Sequence, residues 1–481
     1  MRRPRNARDV RELGKIDLLR SSEKHIEEID LKGDLMVALI FPNNYEIAVS
    51  NLGFNLVWKY LNQLEHVRCE RFFFDETFER FYSLDTRTPI DQFRIWAFTF
   101  HFENDLTNIL KLLLKKSVPL RNVDRSESHP VLLFGGSLCY IDLPVLKPLA
   151  DVVLHGDIEP MLEDLNRSIY PTTRAELIEM FSKFPFSTVP ILGKRFERIA
   201  LCQDLDRFPP ISPLIPKHSE FADKLLVEIE RGCVHRCSYC MMGRVKKPAR
   251  FLSLKTIEKT VEKNRSIGLI ASNVTDYPWL DELIDLLEQR RVSVSVSSLR
   301  IDRLSEKFLK FLRKHQRSLT VAIESASERI RNMLKKNLTD SQIEKALSSA
   351  KDVGFEELKM YFMFGFDEET EDDLKAIGDF VRRTLKFGFK SIKLSINPFV
   401  PKRGTELENR RMQDEKTLRE KMRIISSYLP KHIKAQFESL RECKFQYMVN
   451  NLEEDLANEI LERIQNTKLL DETLSDLIEA V

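Results

Sequence analysis

No stretch of this sequence approaches the roughly 18–20 consecutive apolar residues that a helix needs to cross a bilayer, so a membrane-spanning protein is not expected. The basic start, Met1-Arg2-Arg3-Pro4-Arg5, is not followed by an apolar run. That removes the secretory-signal reading and makes the cytoplasm the expected location. Charge of neither sign dominates: 76 Lys and Arg against 74 Asp and Glu leave +2, which neither demands nor excludes an acidic partner. Internal repeats and low-complexity tracts are absent. Cysteine is sparse, 7 in 481 residues, and in a reducing compartment such a chain is not built on disulfides. Four of them (Cys69, Cys139, Cys202 and Cys443) stand singly and read as small buried apolar residues. The other three fall within eight residues, the most informative feature present.

The remaining composition, 42% hydrophobic and 31% charged, is that of a globular protein too long for one core, so two or three domains are expected. Residues 1–184 alternate apolar strands (35–41, 71–74, 93–100, 131–134, 151–154) with helical runs (52–61, 105–115, 159–168). That alternation predicts a parallel sheet covered on both faces, a Rossmann-like α/β domain. Residues 185–222, with Pro185, Pro190, Pro209, Pro210, Pro213 and Pro216, read as a linker. Over 223–405 six strand–helix units follow, with strands at 225–230, 269–273, 292–299, 319–324, 358–364 and 391–397, which predicts a partial (β/α)6 barrel. Residues 406–481 read as a basic helical C-terminal extension, and its charges (Arg410, Arg411, Lys416, Arg419, Lys421, Arg423) read as a solvated helix face, with RNA as a candidate partner.

The barrel strands carry a second signal. Ordinary barrels fill their interior with branched apolar side chains. Here one parity is polar: Glu228 and Glu230, Ser293, Ser295 and Ser297, Thr320 and Glu324, Lys359 and Tyr361, Lys393, Ser395 and Asn397. The other parity is apolar and suits an outer face under helices. The polar parity therefore predicts a lumen that holds ligands.

The cysteine cluster, Cys233-Val-His-Arg-Cys237-Ser-Tyr-Cys240, follows the first barrel strand, at the end where barrels place their chemistry. Three thiols in one loop can hold a four-iron cluster and leave one iron open, whereas electron-transfer clusters use four. Zinc is the alternative, with His235 as a fourth ligand, although no second Cys/His knuckle follows.

Residues 225–405 resemble the radical S-adenosylmethionine (SAM) superfamily, whose hallmark is Cys-x3-Cys-x-aromatic-Cys after the first strand of a six-unit partial barrel. Ile323-Glu324-Ser325-Ala326-Ser327 resembles that family's Glu-Ser-Gly-Ser segment, with Ala for Gly. Tyr361 to Thr370 resembles its strand-five segment ending Gly-x-Pro-x-Glu-Thr, with Asp367 for the Pro. Pro398-Phe399-Val400-Pro401 and Gly404-Thr405 resemble the segment after strand six. The resemblance implies a [4Fe–4S] cluster on Cys233, Cys237 and Cys240, and SAM in contact with Tyr239, Asn273, Ser297, Arg300, Glu324 and Ser325. It also implies a one-electron donor such as flavodoxin or ferredoxin, and reductive cleavage of SAM to a 5′-deoxyadenosyl radical.

Leu132 to Gly136, Asp151 to Val153 and Gly156 to Glu159 resemble the B12-binding-type domain that precedes many such barrels, which makes cobalamin a candidate cofactor. The Asp-x-His segment that supplies the usual cobalt ligand occurs nowhere, and His101 and His155 are the histidines available. The expected activity is modification of an unactivated C–H position, by methylation or related group transfer, on a substrate the sequence does not identify. Two rivals remain: a methylthiotransferase-like modifier of RNA or protein, drawing a second cluster from Cys69, Cys139 and Cys202, and a zinc-bearing, non-catalytic nucleic-acid-binding protein.

Overall fold

The computed structural model describes residues 7–168, 170–296 and 299–480. They form two compact units, one of residues through Asp204 with Pro210–Leu226 and Met448–Ala480, the other of Leu205–Pro209 with Val227–Tyr447.

The strands of the first unit are β1 (Glu23–His25), β2 (Leu35–Phe41), β3 (Val67–Phe73), β4 (Ile95–Thr99), β5 (Val131–Gly135), β6 (Val152–Leu154), β7 (Ser187–Thr188) and β8 (Leu214–Pro216). Six of them make one sheet in the order β3-β2-β4-β5-β6-β7, parallel except for β7. β2 and β4 bury nearly every side chain, as strands covered on both faces must. The helices between them start where Asn44, Asn51 and Thr173 cap them.

The stretch 185–222, read as a linker, instead supplies β7, which pairs β6, and β8, which pairs β1. Nor is 406–481 one extension, because the helix Glu454–Thr467 belongs to the first unit, where Lys147 pairs Glu454 at 2.7 Å.

The second unit contains β9 (Leu225–Glu228, where the boundary between units falls), β10 (Glu230–Arg231), β11 (Arg250–Phe251), β12 (Ser266–Ile270), β13 (Ser293–Val296), β14 (Ser318–Glu324), β15 (Glu357–Phe364), β16 (Ser391–Pro398) and β17 (Ala435–Phe437). A three-stranded sheet, β13-β12-β9, meets a four-stranded one, β14-β15-β16-β17, through a parallel bridge from Leu299 to Val321. Six strands in chain order with helices between them are the expected partial barrel. β17 adds a seventh, parallel to β16, that three residues of sequence did not announce.

The strand parity is as expected. Leu319, Val321 and Ile323, Leu358, Met360, Phe362 and Phe364, and Ile392, Leu394 and Ile396 are all buried. Phe362 meets Phe380 of the helix Glu371–Lys386 at 5.9 Å, so this parity faces the helices. The intervening polar residues are half-buried or exposed.

Much of the charge after residue 402 is committed internally. Lys421 donates to Glu369 Oε2 at 2.9 Å, and that carboxylate also accepts the backbone N–H groups of Gly365 and Phe366. Arg410 pairs Glu368 at 2.5 Å and Arg419 pairs Glu415 at 2.6 Å.

In the first unit, Arg71 of β3 is almost fully buried beneath the Trp58 ring, 3.8 Å from its centroid. It donates to both oxygens of Glu23 at 2.9 and 2.8 Å and to Asp85 at 2.7 Å, which ties β1 to the main sheet. Burial works against the Glu23 carboxylate, but the Arg71 guanidinium and His25 outweigh it and hold it down at about 2. A carboxyl lowered on folding stabilises above its ordinary value of 4.5 and ceases to as pH falls toward about 2. The contribution of Glu23 to stability, read by chemical denaturation of the wild type against Glu23→Gln, is therefore expected to fall across that acid window. Arg71→Met, which leaves two buried carboxylates without their cation, is expected to cost on the order of 3–5 kcal/mol at neutral pH.

Candidate functional site

The three cysteines lie on the loop between β10 and β11, which pair antiparallel (Glu230 with Phe251, Arg231 with Arg250) just past β9. Close backbone packing shapes this loop. Gly232 has φ +87°, and a Cβ at Gly243 would lie 1.8 Å from the His235 carbonyl oxygen. Cys237 is buried, and Cys233 and Cys240 are half-buried. The backbone N–H of His235 is directed at the Cys233 thiol, and those of Met242 and Gly243 at Cys240. Burial still pushes Cys233 up to about 11, and the negative charges of Glu230, Cys240 and Asp276 push the same way. Burial likewise raises Cys240, with Cys237 adding to it. Three thiol donors on one loop fit a four-iron cluster with one iron left open.

His235, the fourth ligand of the zinc reading, is engaged through one ring nitrogen. His235 Nε2 lies 2.7 Å from Asp276 Oδ2, a carboxylate that also accepts the Asn273 side-chain amide at 2.8 Å.

Beside the loop, β14 ends in a bulge between Ala322 and Glu324, and Glu324 takes a left-handed φ of +70°. That conformation costs a non-glycine residue on the order of 1–3 kcal/mol and needs surrounding structure to hold it. Glu324 Oε1 accepts the Tyr239 hydroxyl at 2.9 Å and the Lys336 ammonium at 2.9 Å. Burial and the neighbouring Glu324, Cys237 and Cys240 raise the Tyr239 phenol well above its ordinary value, so it stays a donor. The Tyr239 ring packs with Met333 and Met363 against Ile330, Leu334, Phe366, Phe399 and Leu407.

Two residues here escaped the sequence reading. Lys336 is buried, and Arg331 is 0% exposed. Arg331 donates to the carbonyls of Ser325 at 2.9 Å, Ala326 at 3.1 Å and Leu338 at 2.6 Å, and also reaches Asp340. It thereby fixes the segment that follows Glu324. Both sat among surface-like charges, and only a buried counter-charge reveals their role.

The other expected residues are distributed as follows. Arg300 is buried, with Nη1 4.0 Å from Cys237 Sγ, Nε 2.8 Å from Asp302 and Nη2 on the Lys336 carbonyl. Ser325 is buried, and its hydroxyl accepts the Ser327 N–H at 3.2 Å. Asn273 is taken up by its neighbours: its amide serves Asp276, and its carbonyl oxygen accepts Thr275 Oγ1 at 2.9 Å and the Arg300 N–H at 3.3 Å. Ser297 lies outside the described residues.

In the first unit His155 is 1% exposed, stacks on Phe196 at 3.9 Å and bonds Thr188 Oγ1 at 2.8 Å through Nε2. Burial holds it down at about 4. His101 stacks on Phe41 at 5.8 Å and meets Ser137 at 3.2 Å. Cys69, Cys139 and Cys202 are all buried.

Two family models match the chain: "Radical SAM proteins, N-terminal" over residues 53–190 and "Radical SAM superfamily" over 227–381. An uncharacterized protein of Methanocaldococcus jannaschii is 26% identical over 432 residues, 88% of this chain and 89% of that one. A ribosomal protein uS12 methylthiotransferase of Desulfotalea psychrophila is 27% identical over 179 residues, 32% of this chain and 39% of that one. An uncharacterized methyltransferase of Pyrococcus horikoshii is 26% identical over 200 residues, 38% of this chain and 43% of that one. Among solved structures, the cobalamin-dependent S-adenosylmethionine radical enzyme OxsB with aqua-cobalamin bound is 16% identical, covering 80% of this chain and 57% of that one with a TM-score of 0.49. With one match on the sheet domain and the other on the barrel that carries the three-cysteine loop, the chain belongs to the radical SAM superfamily.

Proposed function

We propose that this radical SAM enzyme transfers a group, in the simplest case a methyl group, to an unactivated carbon of its substrate. The observation that carries the reading is the joining of the three-thiol loop to β14 through Tyr239, Glu324 and Lys336. Cys233, Cys237 and Cys240 would hold the [4Fe–4S] cluster. Such a cluster would supply the one electron needed for reductive cleavage of bound SAM. The chain's own residues would bind and orient. Arg300, close to Cys237, and Lys336 are the buried cations able to meet the SAM carboxylate. Glu324 Oε2 makes no hydrogen bond to a described residue and is open to a hydroxyl or ammonium donor. The Tyr239 ring would form one wall beside the adenine. Asn273 would brace the loop after β12 rather than touch SAM.

Group transfer is the activity class of the two relatives above whose names give one, a methyltransferase and a methylthiotransferase. A methylthio transfer would draw on a second cluster. Cys69 lies in β3, Cys139 just after β5 and Cys202 beyond β7, all of them buried, which favours methylation. Any corrin on the first unit would lack a histidine ligand from His155, which is sealed by Phe196 and Thr188.

Anaerobic reconstitution is expected to give about four irons and four sulfides per chain, and replacement of all three loop cysteines by Ala to abolish the brown absorbance. Stoichiometric zinc without iron would contradict the proposal. Glu324→Ala is expected to weaken SAM binding by about 1.5–3 kcal/mol, roughly 10- to 150-fold. The affinity is read per bound cluster, from equilibrium binding and iron analysis on the same sample.

A further inference from the structure

Inside the barrel, β15 and β16 set two lysines side by side. Lys359 and Lys393 are paired residues of adjacent parallel strands, and so leave the sheet on one face. That face is the lumen. Phe362, of the opposite parity, meets the helix residue Phe380, while Met363, of the lysine parity, packs against the same apolar cluster (Ile330, Leu334, Phe366, Phe399 and Leu407) as Tyr239 of the cysteine loop. The Lys359 ammonium lies 4.9 Å from the centroid of Tyr361, two residues nearer the cysteine end, so the side chain runs up the lumen toward the chemistry.

Neither lysine forms an ion pair with a described residue, and Glu357, the acidic residue of β15 on the same face, forms none with them. Other lysines packed into this unit do find carboxylates, Lys336 with Glu324 and Lys421 with Glu369, both at 2.9 Å. Thr320, Tyr361, Ser395 and Asn397, on the same lumen face, also make no side-chain hydrogen bond to a described residue. Two lysines paired across adjacent strands carry like charges that repel. A face with two cations, Lys359 half-buried and Lys393 exposed, and with unspent polar groups is matched by a bound anion. A phosphate monoester is close to dianionic near neutral pH and offers three oxygens to ammonium donors, each with three N–H groups.

We infer that the lumen takes a small substrate bearing a phosphate group, held between Lys359 and Lys393 with its reacting carbon toward Tyr239. The inference rests on the proposed function for its premise that the lumen is where substrate lies.

The test uses the reconstituted holoenzyme. Lysine acylation is followed residue by residue by mass spectrometry, alone and with inorganic pyrophosphate, citrate, or a short RNA lacking terminal phosphates. Pyrophosphate is expected to slow acylation of Lys359 and Lys393 but not of the exposed Lys390. Its dissociation constant should rise at least about tenfold in each of Lys359→Gln and Lys393→Gln, the loss of one charge-assisted contact. Because Lys393 is exposed, the second variant keeps the test valid even if the first fails to fold. Unchanged acylation with pyrophosphate would overturn the site. Equal protection by citrate, or protection by RNA alone, would overturn the phosphate assignment. SAM cleavage, read on the same wild-type sample, separates the two ideas. Cleavage without protection defeats only this inference, whereas protection without cleavage upholds the anion site and defeats the proposed reaction.

Discussion

The candidate site hangs on one oxygen atom. Glu324 Oε1 receives the Tyr239 hydroxyl from the cysteine loop and the Lys336 ammonium from the segment after β14. A carboxylate this buried is tolerated when charged donors satisfy it, and a left-handed backbone is tolerated when its surroundings impose it. Both conditions are met by the same few residues. Arg331 pins the Ser325 and Ala326 carbonyls, and the Leu334 carbonyl accepts the Ser238 N–H from within the cysteine loop. The loop, the bulge and the buried cations therefore depend on one another. Loss of Lys336 or Arg331 would be felt at the cysteines although neither residue is a candidate ligand.

The longer elements were legible because their burial is periodic. The strand Leu35–Phe41 and the helices Leu52–Leu61 and Asp105–Lys115 begin and end where the apolar pattern does. Missed elements are those whose stability comes from distant partners. β1, β7, β8 and β17 have two or three residues each and exist through pairing with another strand. The helix Ala7–Ser21 was hidden because its buried face includes Asp9 and Glu12. Glu12 is used there to accept backbone N–H groups of Glu79, Arg80 and Tyr82. A hydrophobicity pattern does not register a buried carboxylate that serves as a backbone acceptor.

At the site the same division holds. The cysteine spacing and the alternating barrel strands are local patterns, and local patterns can be read from sequence. Lys335 and Lys336 look alike on paper. One pairs with Glu406 at the surface and the other lies buried against Glu324. Asn273 looked like a ligand contact because it follows the second barrel strand; its backbone N–H, side-chain amide and side-chain oxygen each meet a protein partner. Which polar group is spent and which is left over is a tertiary property. That property also separates the braced Asn273 from the unspent Lys359 and Lys393.

The account turns on a cluster held by three thiols of one loop with one iron left for SAM. Mössbauer spectroscopy of the protein reconstituted with iron-57 tests this most directly, recorded before and after SAM is added. The account predicts four irons of which one changes its isomer shift and quadrupole splitting when SAM binds, while the other three do not. Four irons that are all insensitive to SAM, or a spectrum of isolated iron ions in place of a cluster, would contradict it.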